Sequence, residues 1–187
     1  MNMEEVLKEL SLVFESKGSD TYIGEEVTQL QHAVQSYDLA KSAGASVELR
    51  LGAFLHDIGH LLSEEQLTAL GDIKHEQQGA AWLKEKGFSP LIVAVCKEHV
   101  NAKKYLCFAD KAYYSQLSEA SKKTLALQGG VMNAYEAALF ENHPYLKEII
   151  LVRKWDDQAK DPSLLPESLT AIMSDLRHYA EGQMKNN

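Results

Sequence analysis

Apolar residues recur along this chain at the three-and-four spacing of helices. Val6, Leu10, Leu12 and Val13 form one such set, and Leu49, Ala53 and Phe54 form another. Each predicts an amphipathic helix with one face turned inward. Start and stop signals punctuate the runs. Ser46 precedes Val47-Glu48-Leu49, while Ser63 with Gln66 and Asn133 with Glu136 have the spacing of capping boxes. Ser89-Pro90 places proline at a first helical position. Gly44, Gly71 and Gly87 read as helix stops, and Gly129-Gly130 reads as a turn. No stretch alternates apolar and polar residues as a half-buried strand does. The pattern predicts an all-α bundle of roughly eight to ten helices. The expected organisation is one domain over residues 1–187, a length suited to a single core.

Composition supports helix and narrows the partners. Only 4 prolines and 11 glycines interrupt stretches rich in Ala, Leu, Glu and Lys. A formal net charge of -8 argues against a broad surface for nucleic acid or anionic lipid. It leaves room for a small anion held by a few focused Lys and Arg side chains. No apolar run approaches the roughly 20 residues of a membrane span. Residues 1–10 carry Glu4, Glu5, Lys8 and Glu9, unlike a signal peptide. Cys96 and Cys107 are too far apart for a CxxC motif and read as ordinary thiols. The expectation is a cytoplasmic protein with no nucleic-acid or membrane partner; no feature assigns an oligomeric partner.

Chemistry enters with the histidines. His56-Asp57 ends the apolar run Leu51-Gly52-Ala53-Phe54-Leu55, so both side chains start from a buried segment. A charged pair there costs several kcal/mol unless compensated, and a divalent metal is the obvious compensation. His32 stands on an earlier expected helix, His75 and His99 on later ones, and Asp156 near the end of another. Imidazole and carboxylate together suit first-row metals, and a carboxylate can bridge two ions. Helix bundles build such sites from inward side chains of several helices. A metal pair alone leaves two chemistries open, hydrolysis of phosphate esters by a metal-bound hydroxide and activation of dioxygen by iron. A helical module without catalytic activity is a third reading. Retaining so many buried ionisable groups without a metal would cost it stability.

The ordered series His32, His56-Asp57, His75, His99, Asp156 resembles the HD-domain superfamily in its two-metal form. Further stretches sharpen the resemblance, from about residue 21 to residue 156. They are Tyr22-Ile23-Gly24-Glu25, Gln29 with His32, Leu55-His56-Asp57-Ile58-Gly59-His60 and His75-Glu76. They continue with His99-Val100-Asn101-Ala102-Lys103, Leu117-Ser118-Glu119-Ala120-Ser121-Lys122-Lys123-Thr124-Leu125, Gln128-Gly129-Gly130 and Arg153-Lys154-Trp155-Asp156. In these the chain resembles the mixed-valent diiron HD-domain oxygenases, which cleave carbon–phosphorus bonds of organophosphonates. It is more distantly similar to myo-inositol oxygenase.

The resemblance implies an all-α HD-domain bundle around two iron ions, an Fe2+/Fe3+ pair, with dioxygen and a small organophosphonate as partners. The substrate implied is a 1-hydroxy-2-aminoethylphosphonate, yielding phosphate and glycine, or glycine betaine where the amine is trimethylated. One iron would be held by His32, His56, Asp57 and Asp156. The other would be held by Asp57, His75 and His99, with Tyr22 in its open position until substrate displaces it. Glu25 would face the amino end, and His60 would sit beside the reacting carbon. Lys103, Ser121, Thr124, Gln128 and Arg153 would surround the phosphonate.

Helical spacing agrees with several of these roles. Lys103 falls one turn after His99, Arg153 one turn before Asp156, and His60 one turn after His56, if each segment is helical. Tyr22 and Glu25 are one turn apart on the same condition. Read singly, Ser121 and Thr124 are also ordinary helix-start residues, and Tyr22 is also a core aromatic with a wet hydroxyl. Cys107, Trp82, His143 and His178 are assigned to structure or surface. The resemblance is loosest between Asp57 and His75 and after Asp156.

Overall fold

The computed structural model describes residues 3–22, 24–62, 74–165 and 168–185. Ile23, Ser63, Gln66 and Gly71 therefore lie outside the described residues, and with them one expected capping box and one expected helix stop. Among the described residues there are eleven helices, more than the pattern predicts, because two of them are single turns. They run α1 Met3–Lys17, α2 Gln29–Ser42, α3 Val47–Leu55, α4 Ile58–Leu62 and α5 His75–Glu85. They continue α6 Pro90–Ala109, α7 Tyr113–Gln116, α8 Glu119–Leu127, α9 Ala134–Phe140, α10 Leu146–Gln158 and α11 Leu169–Lys185.

The expected caps are in place. Ser46 accepts from the Leu49 amide and Ser89 from the Ile92 amide, ahead of Pro90. Asn133 and Glu136 form a reciprocal capping box, as do Thr28 and Gln31 at the start of α2. Each satisfies amides that the first helical turn leaves without partners. Gly44 and Gly87 close α2 and α5 with φ of 72° and 81°.

The fold is built around α6, which packs against α3, α5 and α10. One apolar cluster joins Val6, Leu10 and Phe14 of α1 to Leu51, Phe54 and Leu55 of α3, Leu83 of α5, Ile92 of α6, and Ile172 and Leu176 of α11. Each such side chain contributes about 1.5–3 kcal/mol when fully buried. A second joins Ala53, Val95, Ala102, Ile149, Val152 and Trp155. The candidate site lies where these clusters leave polar side chains between α2, α3, α5, α6 and α10. Leu12 does not join the core. It is 55% exposed, because the buried stripe of α1 is Val6, Leu10 and Phe14, and Leu12 falls off it.

Two local departures shape the site. The segment around Tyr22 and Glu25 is not helical. It is a turn closed by an antiparallel bridge between Thr21 and Thr28, with Gly24 at φ 75°. That conformation suits glycine, and an added Cβ would lie 2.8 Å from the Ala120 Cβ. Likewise α3 ends at Leu55 and α4 begins at Ile58, so His56 and Asp57 occupy a break rather than one continuous helix with His60. The break turns two adjacent side chains toward one centre. Gly59 lets α4 cross α5 closely, since a Cβ there would lie 1.9 Å from the His75 carbonyl oxygen.

Candidate active site

Six side chains converge from five segments. His32 comes from α2, His56 and Asp57 from the break after α3, His75 from the first residue of α5, His99 from mid-α6, and Asp156 from the last turn of α10. All six are buried. Ligand-capable atoms of His32, His56, Asp57 and Asp156 lie within 4.8 Å of one another, and so do those of Asp57, His75 and His99. Asp57 belongs to both groups. Its Oδ2 faces His56 at 3.4 Å and His32 at 3.7 Å. Its Oδ1 faces His99 at 3.1 Å and His75 at 3.3 Å.

Backbone carbonyls set the imidazole roles. Nδ1 of His32 lies 2.8 Å from the Ala159 oxygen, Nδ1 of His56 2.7 Å from the Ala53 oxygen, and Nδ1 of His99 2.7 Å from the Cys96 oxygen. A carbonyl only accepts, so each of these Nδ1 atoms carries a proton and each Nε2 is the atom aimed inward. Yet Nε2 of His32 and His56 are 3.3 Å apart, and His75 and His99 approach to 3.0 Å. Facing lone pairs repel unless a cation or a proton lies between them. The buried Asp57 Oδ1 also lacks a hydrogen-bond partner, whereas Asp156 Oδ2 is met by the Arg153 guanidinium at 2.7 Å. Buried acceptors of this kind are costly, and cations satisfy them. The donor set fits a dinuclear metal site.

The electrostatics are those of a concentrated acidic and basic cluster. Burial pushes His32 down to about 4, despite the Asp156 carboxylate beside it. At His56 burial opposes charge too, but Asp57 and Asp156 outweigh it and raise the ring to about 9. Burial works against ionisation of Asp57, yet the His56 and His99 rings hold it well below its ordinary value. Burial, then the Asp57 and Asp156 charges, push the Tyr22 hydroxyl well up. That hydroxyl donates to Asp57 Oδ2 at 2.8 Å, and its ring stacks on His32 at 3.9 Å.

A cavity of about 50 Å³ opens beside Asp57, His75, His99 and Asp156. Tyr22, Glu25 and His60 line it, and His60 stacks on His75 at 3.8 Å. Lys103, Ser121, Thr124, Gln128 and Arg153 line it as well. The Lys103 amine donates to Thr124 Oγ1 at 2.8 Å, and burial followed by the Arg153 charge lowers it to about 7. The Arg153 guanidinium sits 2.7 Å from Asp156 and also pairs with Asp157, which accepts from the Tyr113 hydroxyl. Gln128 presents an unpartnered amide oxygen. The sequence-predicted residues are thus together, with His32 and His56 lying behind the cavity wall. Trp82, His143, His178 and Cys107 are not part of the lining.

Sequence reasoning missed Lys160, Ser118, Tyr113 and Asp157. The Lys160 amine lines the cavity and pairs with Glu25 at 2.9 Å. Ser118, the N-cap of α8, donates to Glu25 at 2.6 Å. The only local signal for Lys160 was its position one turn beyond Asp156, and for Asp157 its place one turn after Arg153; the contacts of Ser118 and Tyr113 are long-range.

Comparison with known proteins bears on what this cluster is for. Residues 30–156 match the HD domain, which spans all six converging side chains. A [1-hydroxy-2-(trimethylamino)ethyl]phosphonate dioxygenase (glycine-betaine-forming) of Leisingera caerulea is 40% identical over 164 residues, covering 86% of this chain and 83% of that protein. A hydroxymethylphosphonate dioxygenase of Gimesia maris is 39% identical over 166 residues, covering 84% of this chain and 82% of that protein. On the matched span and these relatives, the chain belongs to the HD-domain family and, within it, to the group of these dioxygenases.

Proposed function

We propose that the chain is an iron-dependent oxygenase cleaving the carbon–phosphorus bond of a 1-hydroxy-2-aminoethylphosphonate. Dioxygen is the co-substrate. The products are phosphate and glycine, or glycine betaine from the trimethylamino substrate. The carrying observation is that Asp57, His75, His99 and Asp156 of the candidate metal cluster and the cations Lys103 and Arg153 line one cavity. A cytoplasmic setting goes with this reading.

In it, His32, His56, Asp57 and Asp156 hold one iron, and Asp57, His75 and His99 hold the other. The bound Fe2+/Fe3+ pair supplies dioxygen activation, and the carbonyl contacts of the histidines fix their orientation. The chain's own work is binding and exclusion. Lys103, Arg153, Ser121, Thr124 and Gln128 hold the phosphonate through charge-assisted and neutral hydrogen bonds. Tyr22 covers the site by its bond to Asp57 and yields when the substrate's hydroxyl and phosphonate oxygens arrive. Glu25 receives the ammonium, and His60 stands beside the carbon that loses hydrogen. Oxygen and phosphonate atoms balance, since both atoms of dioxygen end in the carboxylate and the phosphate.

The test is phosphate release from the amino-hydroxyphosphonate by iron-loaded protein, with and without oxygen. Release that stops under anaerobic conditions supports the reading. Anaerobic hydrolysis of phosphate esters, with no phosphonate turnover, replaces it with an HD-type phosphohydrolase.

A further inference from the structure

Lys160 follows the end of α10, and nothing in the mechanism above uses it. Its amine is 2.9 Å from Glu25, 3.3 Å from Ser118 Oγ and 3.2 Å from Ser121 Oγ. Both partners of the ion pair are 14% exposed at the side chain, so the contact is largely shielded from water. Lys160 therefore lies within reach of two groups of the cavity lining. One is Glu25 and the other is Ser121, at the first turn of α8.

The charges of the cavity give this position meaning. Arg153 is already engaged by Asp156 and Asp157. Lys103 donates to a neutral hydroxyl. An incoming phosphonate brings up to two negative charges and meets Lys103 without a carboxylate contact, while Arg153 and Lys160 are both held by carboxylates. A substrate ammonium competes for the same carboxylate.

Resting on the hydroxyphosphonate reading above, we propose that Lys160 is a movable cation that selects zwitterionic substrates. It neutralises Glu25 in the free enzyme. When the substrate's ammonium takes Glu25, Lys160 turns to the phosphonate at Ser121, whose hydroxyl it already touches. Each end of the substrate then favours binding of the other. A phosphonate lacking the ammonium leaves Lys160 committed to Glu25 and is held less tightly.

Calorimetric binding to iron-loaded protein without oxygen tests this, using 1-hydroxy-2-aminoethylphosphonate and hydroxymethylphosphonate. Lys160→Met should weaken the amino compound by about tenfold or more, the scale of one charge-assisted hydrogen bond. It should weaken hydroxymethylphosphonate by only about threefold or less. Glu25→Gln should weaken the amino compound yet tighten hydroxymethylphosphonate by about threefold or more, because the lysine is set free. Equal weakening of both ligands by Lys160→Met makes the lysine a structural strut and overturns the proposal. Tighter binding of the amino compound by that variant makes it a fixed competitor and also overturns it. So does a Glu25→Gln variant that does not tighten hydroxymethylphosphonate, a result that stands even if Lys160→Met fails to fold. Wild-type protein binding neither compound overturns the functional reading as well. Oxygen-dependent phosphate release by wild type, with equal weakening in Lys160→Met, removes the lysine's role alone.

Discussion

Arg153 Nη1 lies 2.7 Å from Asp156 Oδ2, one helical turn along α10. The same guanidinium lines the cavity, donates from Nε to the Tyr113 hydroxyl at 3.2 Å and pairs with Asp157. One rigid, planar cation thus links a side chain of the candidate metal cluster to the wall of the cavity. Arginine suits this post because its fork serves several acceptors at once, which a lysine ammonium does less well.

Asp57 and Lys103 separate metal binding from substrate binding. Asp57→Ala removes the carboxylate shared by both ligand groups, so iron content should fall at both positions. Lys103→Ala should keep the wild-type iron content and raise KM by about tenfold or more, the loss of one charge-assisted hydrogen bond. Elemental analysis beside steady-state kinetics checks the pair. Equal iron loss in the two variants contradicts the assignment.

Lys103 also predicts a pH dependence. Burial and Arg153 lower its amine from the ordinary 10.5 to about 7. The cation proposed to bind phosphonate is present below that value and is lost as pH rises through it. The kcat/KM profile should therefore fall above a pH of about 7. Lys103→Arg keeps the charge and should carry this limb to higher pH. A limb that stays in place belongs to another group.

Tyr22→Phe deletes the hydroxyl bound to Asp57 while leaving the ring on His32. If the tyrosine yields to substrate, losing a bond of about 0.5–1.5 kcal/mol should tighten hydroxyphosphonate binding by roughly two- to tenfold. Weaker binding in calorimetry would mean that the hydroxyl holds substrate instead.

Gly59→Ala tests the crossing of α4 and α5. The added methyl would meet the His75 backbone oxygen at 1.9 Å, and backbone cannot swing aside as a side chain can. Overpacking of this kind costs about 1–3 kcal/mol or more. A lower melting temperature together with reduced iron content is expected, since His75 moves with the backbone it stands on. Unaltered melting and iron would show that the helices separate freely.

Much of this was legible in the sequence for physical reasons that differ by element. The caps at Ser46, Ser89 and Asn133 are local chemistry, and they appear where their spacing puts them. Lys103 and Arg153 fall into the cavity because α6 and α10 run unbroken past His99 and Asp156. The Tyr22–Glu25 segment defeats helical reasoning because Gly24 takes a left-handed turn and a bridge from Thr21 to Thr28 closes the loop. His60 reaches the site by a break in the backbone that periodicity does not encode. Lys160 and Ser118 meet Glu25 across more than 90 residues of chain, a contact that no local window contains.

The opposed Nε2 atoms carry a consequence for how the protein matures. Five segments, from residue 32 to residue 156, meet at one knot of like-facing lone pairs and carboxylates. Ions seated there would act as cross-links, closing long loops of chain as disulfides do in oxidising compartments. The empty polypeptide would have to take up protons or loosen to relieve the crowding. Iron supply would then govern how much folded protein a cell holds, as well as how fast that protein turns over.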